Sequence, residues 1–259
     1  MIPRLLASTT SHKAEPLLPA LEIFSRLGLH DIDLNLHHIL EVGVPVEAIQ
    51  QEAAANGLHI WGLAGGWCDF FHPAPRIDET FRSIDRQVEI AGRFGVTLLR
   101  LFFGRLTLAD YSAAAREVIC ANLRTLSDRH PKMRFVFENH DGASLRPEIC
   151  REILEAVDRP NIRMNFDPIN FEKAGVNSLE AARLVAPFVG HVHLKGLENG
   201  AYCEFGLGDV DLGPALDVLA DHGYAGRFSV EYEGPFDKTL RLFESVKRAR
   251  IALGPRFPL

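Results

Sequence analysis

The chain has 259 residues, is 47% hydrophobic and carries a formal net charge of −6. A mildly acidic surface disfavours polyanions, so no nucleic-acid partner is expected. No stretch approaches the roughly 18 consecutive apolar residues of a membrane span, so no membrane partner is expected either. The length suits one large domain, here residues 1–259.

Short apolar runs with β-branched or aromatic content predict strands along the whole chain. They are PRLLAS near residue 5, HDIDLNL near 32, LHIWGLAG near 60 and TLLRLFF near 100, followed by MRFVFEN near 136, NIRMNFD near 164, GHVHLKG near 193 and RFSVEYE near 230. Helical patterns fill the gaps. LLPALEIFSRLG closes on Gly28, a C-terminal cap, and PVEAIQQEAAANG opens on Pro45. DETFRSIDRQVEIAGRFG has Asp78 as its expected N-cap and Phe81, Ile84, Val88 and Ala91 at helical spacing. LADYSAAAREVICANLRTLSDRH, RPEICREILEAV, SLEAARLVAPF, GPALDVLADHG and PFDKTLRLFESVKRARIAL complete the set.

Eight strands alternating with eight helices predict the α/β class. Units of about 30 residues favour a single closed (β/α)8 TIM barrel over an open sheet. Neither GxGxxG nor GxxxxGK[ST] is present, which removes the common nucleotide-binding fingerprints. Cys68, Cys120, Cys150 and Cys203 show no paired spacing and read as reduced thiols of a cytoplasmic protein. The start of the chain, MIPRLLASTT, has too short an apolar run for a signal peptide.

Four of the predicted strands end on residues of metal-ligand type: Glu138 in FVFENH, Asp167 in IRMNFDPIN, His193 in GHVHLKG and Glu231 in FSVEYEG. Taken singly, each has an ordinary explanation. A strand-end acid can cap a helix or pair with lysine, and Asp167–Pro168 is a common turn. Together they occupy the last four strands at the same end, where a barrel brings strand tips to one point. Three carboxylates and one imidazole suit one divalent cation, Mn²⁺ first, with Mg²⁺, Co²⁺ or Zn²⁺ as alternatives. Period-two alternation puts His191 on the same face as His193 but deeper, as a buried, hydrogen-bonded histidine. Glu233 reads as a loop residue.

The pieces ENH at 138–140, DPIN at 167–170, HVHLK at 191–195, GLGDVDLGPAL at 206–216 and SVEYEGP at 229–235 resemble the xylose isomerase-like superfamily, in its sugar isomerase/epimerase branch. That branch includes ketose 3-epimerases, hydroxypyruvate isomerase and inosose dehydratase. The resemblance implies that Glu138, Asp167, His193 and Glu231 bind one metal and that Glu138 and Glu231 also form the catalytic acid/base pair. The chain departs from the epimerases at Asn170, where they carry histidine, and at Ser144, where they carry glutamate. It also lacks the arginine that follows their metal histidine. These departures bear on the substrate rather than the metal.

The expected activity is therefore a divalent-metal-dependent isomerase or epimerase acting on a small ketose, keto acid or polyol-derived substrate through a metal-held enediolate. The alternative is a dehydratase of inosose or 3-dehydroshikimate type, and an endonuclease IV-like phosphodiesterase is less expected. Candidate substrate contacts are His140, Asn170, Lys195, Trp67 and Phe103. Two readings of Lys195 stay open, one that holds a substrate oxygen and one in solvent. Trp67, Phe70, Phe102 and Phe103 either wall the pocket or pack ordinarily. His12, His37 and His38 read as polar loop residues. The expected partner is a small sugar-like molecule, with a homo-oligomer possible.

Overall fold

A computed structural model describes residues 5–257. Pro3 and Arg4 of the first predicted strand lie outside the described residues, as do the other ends of the 1–259 span. Eight parallel strands form a closed barrel. They are β1 (Leu5–Ser8), β2 (Asp31–Asn35), β3 (His59–Ala64), β4 (Leu98–Phe102), β5 (Arg134–Glu138), β6 (Ile162–Phe166), β7 (Val189–Leu194) and, after a two-stranded hairpin of β8 (Gly196–Glu198) and β9 (Ala201–Cys203), β10 (Arg227–Val230). β10 pairs with both β7 and β1, which closes the ring.

The outer layer follows the chain's helical periodicity. α1 (Leu17–Arg26), α2 (His37–Leu40), α3 (Val46–Ala55), α4 (Ile77–Phe94), α5 (Ala113–Arg129), α6 (Pro147–Val157), α7 (Pro168–Lys173), α8 (Ser178–Val185), α9 (Gly213–Asp221) and α10 (Lys238–Leu253) surround the strands. Gly28 follows α1 with φ of 74°, as expected for a left-handed stop. α4 starts two residues earlier than an N-cap at Asp78 indicates. Arg76 holds the N-cap position, and Asp78 with Glu79 sits inside the first turn. There the carboxylates still favour the helix through its dipole rather than through a capping bond. α2 and α7 are one-turn elements inserted just after strand tips, too short to leave a periodic signal.

Strands buried on both faces need apolar side chains outward as well as inward. Leu34, Leu63, Leu99, Leu101, Phe135, Phe137, Phe166, Val192, Phe228 and Val230 are all buried and join one continuous core with the helices. Each large side chain so buried contributes about 1.5–3 kcal/mol. The inward faces of β5, β6, β7 and β10 are instead polar near the C-terminal mouth, and that is where the site forms.

Candidate metal centre and active site at the barrel mouth

Glu138 is the last residue of β5 and His193 lies near the end of β7; Asp167 and Glu231 directly follow β6 and β10. All four are essentially buried. The Nδ1 of His193 lies 3.7 Å from Glu138 Oε1 and 3.5 Å from Glu231 Oε2, so the imidazole stands between two carboxylates. One ligand atom each from Glu138, Asp167 and His193 falls within 4.8 Å of the others.

Asp167 opens the short helix that follows β6. Its Oδ1 accepts the backbone N–H groups of Ile169 and Asn170 at 3.0 and 3.1 Å and so caps α7, with Pro168 in the first turn. Its Oδ2 is buried and accepts no hydrogen bond of good geometry among the described residues, with the Lys195 ammonium 3.0 Å away as an ion pair. Both ring nitrogens of His193 are buried without hydrogen bonds in the same sense. A buried ring without hydrogen bonds calls for a partner. The carboxylates of Glu138, Asp167 and Glu231 around an unbonded imidazole fit a divalent ion with mixed oxygen and nitrogen ligands.

Other side chains hold these groups in place. Asn170 Nδ2 donates to Glu138 Oε1 at 3.0 Å, and Arg100 Nε lies 3.2 Å from Glu138 Oε2. Ser8 Oγ donates to Glu231 Oε1 at 2.9 Å. Asn139 locks the Asp167 backbone in both directions, donating to its carbonyl and accepting from its N–H. Below the mouth, Asp33 Oδ2 accepts from Ser229 Oγ at 2.7 Å and lies 3.8 and 3.9 Å from Nε2 of His191 and His193. His191 Nε2 is also 2.8 Å from Ser229 Oγ. It is therefore the buried, hydrogen-bonded residue that alternation implies.

Electrostatics follow from this packing. Burial opposes charge on His193, but Glu231 and Glu138 outweigh it and raise its pKa to about 9. A proton there competes with a metal for the ring. Burial likewise opposes charge on Glu138, yet Arg100 and His193 hold its carboxyl well below the usual range. For Asp167 burial dominates and pushes the carboxyl up despite Lys195. Asp33 also resists burial. The hydrogen bond and charge of His191, the charge of His193 and the Ser229 hydroxyl hold it down at about 2.

Lys195 is buried, not in solvent, at 1% exposure. Its Nζ lies 3.0 Å from Asp167 Oδ2 and 3.6 Å from Glu231 Oε2, and it donates to Glu233 Oε1 at 2.6 Å. Glu233 does lie in the loop after β10, but it turns back to the site. Against burial, the carboxylates of Asp167, Glu233, Glu231 and Glu138 raise the Lys195 pKa well above its ordinary value.

A cavity of about 370 Å³ opens above these groups. Trp67, Phe102 and His140 line one wall. Trp67 stacks on Phe102 at 4.2 Å between centroids, and His140 meets both rings edge-on. Phe103 does not reach this wall. Alternation along β4 turns Arg100 and Phe102 inward, while Phe103 points to the helices, stacks on Phe137 at 5.0 Å and belongs to the core. Phe70 is core as well, edge-on to Phe137. Asn170 reaches the site through Glu138 and through Tyr202, whose hydroxyl donates to its Oδ1 at 3.3 Å. Among the loop histidines, His12 is fully buried, with Nε2 2.8 Å from Thr239 Oγ1.

Sequence reasoning passed over Asp33, Arg100, Ser8, Ser229 and Tyr202. Arg100 carried a signal, a lone charge inside the apolar run LLRLF, and Asp33 sits at the inward period of DIDLN. Tyr202 had none, because it rides on the β8–β9 hairpin. Gly208 pins that hairpin, with φ of 89°; a Cβ there would lie 2.1 Å from the Leu197 carbonyl oxygen.

A family model described as Xylose isomerase-like TIM barrel matches residues 21–249. A 3-dehydroshikimate dehydratase of Bacillus anthracis is 22% identical over 129 residues, 48% of this chain and 46% of that protein. An inosose dehydratase of Clostridium perfringens is 27% identical over 121 residues, 39% of this chain and 41% of the other. Each match thus spans less than half of the relative's length. Among solved structures, the IolI protein, described with a binding zinc atom, superposes with a TM-score of 0.82 at 17% identity. That match covers 99% of this chain and 100% of that one, a likeness of fold. Among the described residues no helix is long and apolar enough to cross a membrane. With the family model matched across 21–249 and the closed eight-stranded barrel in place, the chain belongs to the xylose isomerase-like TIM barrel family.

Proposed function

We propose that this protein is a divalent-metal-dependent enzyme that moves a proton next to the carbonyl of a small hydroxy-ketone, as a sugar isomerase or epimerase does. One observation carries the reading: two buried carboxylates, Glu138 and Glu231, flank His193 at 3.7 and 3.5 Å beneath an open cavity. The ion would be held by Glu138, Asp167, His193 and Glu231, and manganese suits this oxygen-rich set. When bound, such an ion supplies Lewis acidity to a carbonyl and its neighbouring hydroxyl.

The residues do the rest. Glu231, oriented by Ser8, is placed to take a proton from substrate carbon. Glu138, on the other flank and oriented by Asn170 and Arg100, is placed to return one. Return to the opposite face inverts the carbon, and return to its neighbour moves the carbonyl. Lys195, buried at the floor, suits a substrate oxygen that gains negative charge. His140 and Trp67 border the substrate and limit water, and Asn170 fixes Glu138.

A second reading, dehydration, is favoured by the two relatives, both dehydratases. It begins with the same proton removal, but a hydroxyl then leaves in place of reprotonation. The test is a panel of ketoses, keto acids and cyclitols with Mn²⁺ in D₂O. Deuterium at the carbon beside the carbonyl with an isomeric product supports the first reading. A rise in enone ultraviolet absorbance moves the assignment to the second. Neither signal with any substrate contradicts both.

A further inference from the structure

Resting on the metal reading above, the geometry points to Lys195 as a tethered cation that competes with the divalent ion for Asp167 and Glu231, with Glu233 as the berth it takes when the ion is bound. Three observations carry it. The Lys195 ammonium lies 3.0 Å from Asp167 Oδ2 and 3.6 Å from Glu231 Oε2, oxygens that the ion would need. Asp167 Oδ2 accepts no hydrogen bond among the described residues, so Lys195 is its nearest counter-charge. Glu233, whose Oε1 takes a 2.6 Å bond from Nζ, is outside the four-residue ligand set and is 32% exposed at the cavity.

The electrostatic argument is direct. Three buried carboxylates, Glu138, Asp167 and Glu231, crowd one floor, with the part-exposed Glu233 beside them. Arg100 serves Glu138, His193 stands between Glu138 and Glu231, and Lys195 reaches Asp167, Glu231 and Glu233. Packed without a cation, such a group is strongly self-repelling. A divalent ion brings its own charge, and two cations cannot share Asp167 and Glu231 at contact distance. Glu233 resolves the conflict, because Nζ already donates to it and stays paired there when the lysine draws back from Asp167 and Glu231. The ion's affinity is then set partly by what Lys195 gives up and partly by how well Glu233 receives it.

The test is calorimetric titration of Mn²⁺ into chelator-stripped protein, with far-ultraviolet circular dichroism to confirm folding of each variant. Lys195→Gln, and Lys195→Met as a second neutral replacement, should bind Mn²⁺ at least about tenfold more tightly than the parent. Glu233→Gln should weaken binding in the parent but leave affinity unchanged in the Lys195→Gln background. Plain through-space attraction would instead weaken it equally in both. Unchanged or weaker affinity in both lysine variants, or additivity of the Glu233 effect, overturns the inference. Asp167→Asn separates the underlying reading: if it binds Mn²⁺ like the parent, the metal site itself is misplaced, whatever Lys195 does.

Discussion

The two halves of the barrel mouth are built from different materials. The tips of β5, β6, β7 and β10 present Glu138, Asp167, His193 and Glu231, whereas β1 to β4 end on Ser8, Asn35, Ala64 and Phe102. Yet the first half is not idle. Ser8 holds Glu231, Arg100 holds Glu138, and Asp33 lies beside both barrel histidines. One half carries the buried charge, and the other fixes that charge in position and supplies much of the cavity wall. Catalytic groups need such support, because a misdirected buried carboxylate neither reacts well nor packs well.

Substitutions can break this division of labour, beginning with the charged half. Glu138→Gln and Glu231→Gln should each lower turnover by about 10³-fold or more with secondary structure intact, measured by proton exchange in D₂O. A Glu231 variant with normal turnover would remove that residue from the proton path. In the supporting half, Arg100→Met leaves Glu138 buried beside fewer counter-charges and should cost about 3–5 kcal/mol of stability in urea melts. A change below about 0.5 kcal/mol would mean that Asn170 and His193 suffice.

His12 sharpens the same contrast through pH. Burial, together with the nearby charges of His38 and Lys238, lowers its pKa to about 4, against the partial opposition of Asp237. The unfolded chain binds this proton near pH 6.5, so it holds more protons than the folded one between 6.5 and 4. Stability associated with neutral His12 is therefore full above pH 6.5 and drains away as pH falls towards 4. His12→Gln should flatten that part of the melting-temperature profile, and an unchanged slope would place the acid sensitivity elsewhere.

The smallest effects concern the wall. Tyr202→Phe removes the hydroxyl bonded to Asn170 and should slow turnover about two- to fivefold. Phe103→Leu should leave kcat and KM unchanged while costing about 1 kcal/mol of stability, because that ring packs against Phe137. A changed KM in the Phe103 variant would return it to the cavity.

Much of this arrangement was legible in the chain. Alternating apolar runs indicate the barrel, and the acids and histidine that end its last four strands converge as a barrel requires. Alternation also separated His193 from His191. What stayed hidden depends on contacts remote in sequence. Ser8 meets Glu231 across 223 residues of chain, and no local period foretells that bond. Phe103 and Phe102 are neighbours whose roles hinge on a one-residue difference in facing, which a strand end read to within a residue or two does not resolve. Glu233 reads in the sequence only as a loop residue, because only the fold turns it back onto Lys195.

The central claim is that four strand tips share one ion. Crystals grown with Mn²⁺ and measured at the manganese absorption edge test it most directly. A single anomalous peak about 2.0–2.4 Å from oxygens of Glu138, Asp167 and Glu231 and from Nδ1 of His193 is the predicted result. A fully folded protein with no peak at that point, or with its ion bound elsewhere, would contradict the account.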